Sequence, residues 1–375
     1  MEKTKRLQPG DFMFLILTLG LVIFGVIMVF SASYYSSINN SGNPYSYLIK
    51  ELIFAVTGFI LMIGAALLDV RYYKKWAPYL MIFSIILLVL VVTPLGTEVN
   101  GAKRWLGAGV FTLMPGEIVK LCAIIFVAWF LSRKPEVITS FTRGILPLFF
   151  LCGIIAALVM LQPNMSTAIT VVGIILVMMF IAGMKYKYLI GLLIVGGVAG
   201  CGLIFSDPDG YRLDRVTSFR DPFKDAAGDG YQVVQSLLAL GSGGIFGLGL
   251  GKSVQKTLYL PEPQNDFILA IIGEELGLVG ILVLLVVYLL LIWRGIKIAM
   301  EAPDRFSMLL ASGITVMIGL QVVLNVAVVT SSMPATGVIL PFVSYGGNAL
   351  WLFMIAAGIM INISRHGKKR VEEER

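Results

Sequence analysis

Ten stretches of this chain are apolar for long enough to cross a lipid bilayer, a length of about 17–25 helical residues. They fall at roughly 12–32, 52–69, 77–94, 117–132, 145–161, 167–183, 188–205, 267–293, 307–329 and 345–363. A backbone inside hydrocarbon must satisfy its own N–H and C=O groups, and runs of this length do so as helices. The expectation is an all-α, polytopic membrane protein, one domain over residues 1–375, with about ten transmembrane helices. Composition agrees: 58% of the 375 residues are hydrophobic and 14% charged, against about 45–50% and 25% in soluble domains. The first run follows Lys3, Lys5 and Arg6 and ends near Ser31-Ala32-Ser33, the outline of a signal peptide. Its apolar core is too long for one and further spans follow, so it reads as an uncleaved helix.

Charge sets the orientation. With the N-terminus inside, 19 of the 29 lysines and arginines lie at cytoplasmic ends, including the basic tail from Arg365 to Arg375. Both termini are therefore expected in the cytoplasm of a multi-pass membrane protein. The tail reads as a topology determinant and a contact for anionic lipid, not a nucleic-acid patch. Cytoplasmic connections are too short for a nucleotide-binding domain. The long connection at 206–265, between the seventh and eighth spans, is expected to be a large extracellular loop. Within it, Tyr231 to Leu240 reads as a short amphipathic helix, followed by a glycine-rich turn from Gly241 to Gly251.

Few residues can carry chemistry. Cys122, Cys152 and Cys201 lie inside apolar runs without metal-ligand spacing, which predicts buried, inert thiols. The one histidine, His366, sits in the basic tail, which removes histidine bases and His-rich metal sites. Gly251-Lys252-Ser253 imitates the end of a Walker A loop, but Phe246 stands where its first glycine belongs. What remains of that turn is either a cradle of amides for an anion, beside Lys252 and Lys256, or a plain flexible connection. Charges inside spans are costly and mark candidate sites. Glu117 and Lys120 share a helical face and form either a structural ion pair or part of a polar cavity. Glu274 and Glu275 are adjacent, so at least one needs a polar partner. Asp266 opens the eighth helix, where it serves either as an N-cap or as a base at the membrane boundary beside Glu262.

These residues fall within a pattern. In order the chain carries Asn100-Gly101-Ala102-Lys103-Arg104-Trp105-Leu106, Pro115-Gly116-Glu117-Ile118-Val119-Lys120 and Gln162-Pro163. Then come Gly230-Tyr231-Gln232, Gln255-Lys256, Tyr259-Leu260-Pro261-Glu262, Asp266-Phe267-Ile268 and Glu274-Glu275-Leu276-Gly277. Pro334-Ala335-Thr336-Gly337 and Leu340-Pro341-Phe342-Val343-Ser344-Tyr345-Gly346-Gly347 complete the set. The sequence resembles the SEDS family of bacterial cell-wall polymerases, which includes FtsW, RodA and SpoVE, and is nearest the FtsW/SpoVE branch. The resemblance implies a peptidoglycan glycosyltransferase that joins lipid II into glycan strands outside the cytoplasmic membrane, releasing undecaprenyl pyrophosphate, in division or spore-cortex wall synthesis. It implies Asp266 as the catalytic carboxylate. Arg104, Arg215, Lys252, Lys256 and Glu262 become candidates for binding substrate, and Glu117, Lys120, Glu275, Ser344 and Tyr345 for shaping the cavity. It also implies a class B penicillin-binding protein as partner, within a divisome or related complex. No cofactor is required, though a divalent cation, Mg or Mn, is an option for holding the pyrophosphate.

The chain departs from the family pattern at Asn164, where an aspartate is usual, at Met114-Pro115-Gly116 and at Asn265. The competing functions are a lipid II flippase and a non-catalytic division scaffold. No paired broken helices of an inverted-repeat transporter stand out; Gln162-Pro163 and Pro334 are the nearest candidates.

Overall fold

A computed structural model of the chain describes residues 10–99, 102–108, 111–133, 135–205, 219, 221–228 and 230–373. Eight of its helices are long and apolar enough to cross a membrane, and two shorter apolar helices accompany them. In chain order the helices are α1 Phe12–Ser41, α2 Ser46–Leu67, α3 Val70–Val92, α4 Pro115–Arg133, α5 Leu146–Met160 and α6 Met165–Ile181. They continue as α7 Tyr186–Phe205, α8 Tyr231–Gly243, α9 Ile268–Met300, α10 Arg305–Val329 and α11 Gly347–Glu373. The two shorter ones are α6 and α7, the span containing α5 starts at Phe141 with a π-helical turn, and α8 is the amphipathic helix expected in the long connection.

Local chemistry starts several of these helices. Asp11, Asp69, Asn164 and Asp304 each accept a backbone N–H in the first turn of α1, α3, α6 and α10. Asp11 also pairs with Arg294 of α9, and its N–H reaches Ser364 Oγ of α11 at 2.9 Å. That clamp joins three helices at the end of the bundle carrying the chain's two termini. Helices α11, α4 and α10 form the centre: 78%, 72% and 61% of their apolar windows are buried, against 22% for α2 and α9. Small residues let the centre close, since a Cβ on Gly358 of α11 would lie 2.2 Å from the Met62 carbonyl of α2.

The helical membrane fold is as expected, with one addition and one correction. The addition lies between α3 and α4, where residues form a small three-stranded antiparallel sheet of β1 Gly96–Val99, β2 Ala102–Ala108 and β3 Phe111–Leu113. Gly96 pairs with Leu106, and Leu106 with Leu113. Strands this short leave too few alternations to register as a period. Cys122 and Cys152 are buried free thiols, as expected, but Cys201 is exposed on α7. An apolar run says that a residue lies in the membrane layer, not which side of its helix faces the protein.

Candidate active site

Asp266 occupies a turn immediately before α9, half-buried. It is not the helix cap. The cap position belongs to Phe267, whose side chain makes no cap bond. Three segments converge on this residue. The first is its own turn, where Glu262 adopts a left-handed φ of 46° and accepts hydrogen bonds from Gln264 Nε2 at 2.8 Å and Asn265 Nδ2 at 3.1 Å. The second is α10, from which Asn325 Nδ2 donates to the Asp266 and Val338 carbonyls, both at 2.7 Å. The third runs from Thr336 to Gly346. A Cβ built on Gly337, whose φ is 75°, would lie 3.7 Å from Asp266 Oδ2, so this segment passes directly beside the carboxylate. Tyr345 N–H closes the arrangement on the Gln264 carbonyl at 2.9 Å, and Ser344 Oγ accepts from Leu340 N–H at 2.8 Å. Tyr345 packs edge-on against Tyr47 of α2, with ring centres 5.0 Å apart. Ser344 and Tyr345 thus shape the site by holding backbone.

Below the site, α9 is broken. Gly277 has a φ of 70° and a ψ of −170°, far from helical values. In an unbroken helix Leu278 and Val279 would donate to the carbonyls of Glu274 and Glu275. Here the glycine-rich stretch enters the gap. Leu248 and Gly249 donate to those carbonyls, each at 2.9 Å, while Leu278 and Val279 donate to Gly244 at 2.9 Å and Ile245 at 3.1 Å. Two missing helix bonds are replaced by four bonds to the loop, which satisfies the backbone within the membrane layer. The amides of 247–249 therefore form no anion cradle: Gly247 N–H bonds Gly243, and the next two amides serve the helix break. The apolar side chains of Ile245, Phe246, Leu248 and Leu250 point outward and are exposed. The segment expected to be wholly extracellular thus dips back beside the spans.

The adjacent glutamates both find partners. Glu274 accepts from Ser253 Oγ, from Val254 N–H at 3.0 Å and from Gln255 N–H at 3.2 Å. Glu275 pairs with Lys256 Nζ at 2.7 Å, and Ser31 Oγ joins both groups. Lys256 is 3% exposed. Its charge is neutralised by Glu275, so this candidate for binding substrate is held in a buried ion pair. Glu117 and Lys120 likewise form a buried pair at 2.7 Å. Arg104 reaches from β2 to the carbonyls of Gln162 and Pro163, tying the sheet to the break between α5 and α6. Asn164, the departure from the family pattern, caps α6 through Thr167 N–H at 3.2 Å, a task an aspartate would also perform. Lys252 is exposed and has no carboxylate partner among the described residues. Arg215 lies outside the described residues.

Two participants escaped the sequence. Glu51 of α2 is 2% exposed and accepts the Gly346 N–H; its Oε2 has no partner among the described residues. It lies one residue outside the expected second span, so the search for charges inside spans passed it by. Asn325 is one of two amides, with Gln321, in an apolar run, and only the fold reveals what it joins. Among the described residues no three acidic, cysteine or histidine side chains gather as metal ligands, so a divalent cation finds no ready-made cage.

Comparison with known proteins places this geometry in context. A family model described as cell cycle protein, covering FtsW, RodA and SpoVE, matches residues 11–369. Stage V sporulation protein E of Bacillus subtilis is 42% identical over 366 residues, 97% of this chain and 99% of that protein. A probable peptidoglycan glycosyltransferase FtsW of a Geobacter species is 37% identical over 361 residues, 96% and 98% of the two chains. Among solved structures, a chain described as part of a peptidoglycan synthase complex that coordinates polymerization and crosslinking matches with a TM-score of 0.79. It is 25% identical, with 96% of this chain and 98% of that one covered. The rod shape determining protein RodA of Thermus thermophilus matches with a TM-score of 0.69 at 26% identity, over 95% and 97% of the chains.

Proposed function

Because the chain belongs to the FtsW/RodA/SpoVE family, we propose that it polymerises lipid II, using Asp266 as the general base. The chain is a peptidoglycan glycosyltransferase embedded in the membrane. The observation that carries the catalytic assignment is a carboxylate standing half-buried at the junction of three segments, directly beside Gly337.

In the proposed reaction the Asp266 carboxylate takes the proton of a sugar 4-hydroxyl. The freed oxygen attacks the anomeric carbon of a second disaccharide. The bond from that carbon to the pyrophosphate breaks, and the electron pair leaves with undecaprenyl pyrophosphate. No nucleotide is consumed, because the donor arrives already activated. Charge on the leaving group needs cations. Lys252 is available at the rim of the loop, whereas Lys256 is paired and Arg104 holds backbone carbonyls. Glu262 positions the turn through Gln264 and Asn265.

The lysine and arginine distribution supports both termini in the cytoplasm and Asp266 on the outer face. A class B penicillin-binding protein, crosslinking the strand as it emerges, is the partner this chemistry calls for.

The test uses purified protein and lipid II. Wild type yields glycan ladders on a gel; Asp266→Asn keeps its melting temperature and loses about 10²–10⁴-fold in rate. Full-rate strand growth by Asp266→Asn, or translocation of lipid II without any polymer, overturns the assignment.

A further inference from the structure

A cavity of about 390 Å³ lies between α1 and the loop that fills the break in α9. Ile27, Phe30, Tyr34 and Tyr35 form one wall, and Leu250 and Gly251 the other. Its floor is Ser31 with Lys256, the same pair that meets Glu275. The cavity opens sideways between Ile27, 50% exposed, and Leu250, 59% exposed.

Its polar edge is unusual for an apolar groove. The amides of Leu250 and Gly251 have no hydrogen-bond partner among the described residues. Such amides are available to an acceptor from outside the chain. Next in sequence is Lys252, exposed and without a carboxylate partner, its side chain folded back along Gly249. Two free donors and one uncompensated ammonium therefore stand at the mouth of an apolar, aromatic slot. That combination complements a hydrocarbon chain ending in a phosphate.

We infer that this groove holds the polyprenyl chain of the carrier lipid, with its phosphate at the 250–252 edge. One helix and one loop pinch the slot, so it admits a single hydrocarbon chain and not the two of a phospholipid. Position supports the same occupant, because the loop continues from Lys252 through the Lys256–Glu275 pair to Asp266. The inference rests on the assignment of the chain as a user of carrier lipid, but binding here needs no turnover.

The experiment labels the full-length protein in nanodiscs with a benzophenone-tailed polyprenyl phosphate and maps the adducts. The expected adducts fall within 27–35 and at 250–251; excess unlabelled polyprenyl phosphate removes them and phosphatidylglycerol does not. Ile27→Trp fills the slot and abolishes those adducts. Leu250→Trp, on the opposite and more exposed wall, does the same should the first variant fold poorly. Lys252→Ala raises the half-saturating concentration about fivefold, the worth of one lysine beside an anionic lipid. Asp266→Asn labels like wild type, so failure of the catalytic assignment leaves this result intact. Adducts confined to other helices, labelling unaffected by either tryptophan, or equal competition by phosphatidylglycerol would each overturn the inference.

Discussion

Lys256 and Glu275, nineteen positions apart in sequence, meet at 2.7 Å with side chains 3% and 0% exposed. The pair pins the loop to α9 just below the Asp266 turn. Removing one partner strands the other charge in a low-dielectric interior, at a cost of about 3–5 kcal/mol. Lys256→Met and Glu275→Leu should each lower thermal stability in detergent sharply, and the double variant should regain most of the loss. Single variants that melt like wild type would show that the pair is not buried as described.

Gly277 offers a sharper probe of the helix break. A Cβ there would lie 2.4 Å from both Gly247 N and the Ile245 carbonyl, on a residue with a φ of 70°. Gly277→Ala therefore combines a left-handed strain of about 1–2 kcal/mol with a backbone clash of about 1–3 kcal/mol. The expected readout is a lowered unfolding midpoint together with new protease cleavage between residues 244 and 251. Gly251→Ala has open space around it and should cost only the strain.

Arg104 holds two carbonyls with one planar guanidinium, a geometry lysine does not reproduce. Arg104→Lys should loosen the sheet on the α5–α6 break, losing about 1–3 kcal/mol and exposing residues 96–113 to limited proteolysis. Intact proteolytic resistance combined with lost polymerisation would instead point to a direct role at the pyrophosphate.

Asn325 links the backbone of Asp266 to that of Val338. Asn325→Leu removes both bonds from a buried site, so stability should fall by about 1–3 kcal/mol, with glycan yield falling alongside it. Asn325→Asp places a charge against two carbonyls and should be worse on both counts. Wild-type polymerisation by Asn325→Leu would show that the Asp266 turn holds its geometry without this tie.

The ten apolar helices were legible because hydrocarbon leaves the backbone few choices, and the Glu117–Lys120 pair because three residues along a helix is a fixed geometry. Pairings across the fold were not. Nothing at Glu275 announces Lys256, and nothing in Gly243–Gly251 says that its amides serve another element's carbonyls. Asp266 shows the limit most plainly. An aspartate ahead of a helix is ordinarily a cap, and only the fold shows that the cap position falls one residue later, on Phe267. The sheet at 96–113 was missed because its strands are held partly from outside, by Arg104 on Gln162 and by Asn348 on Thr112.

Four backbone bonds tie residues 244–249 to the break in α9, so this stretch behaves as a part of fixed length. One inserted or deleted residue shifts every partner by a position and turns amides and carbonyls toward lipid. Chimaeras that swap the outer loop between relatives must therefore carry residues 244–279 as a single cassette, whereas an epitope tag belongs earlier, near the exposed turn at 224–227.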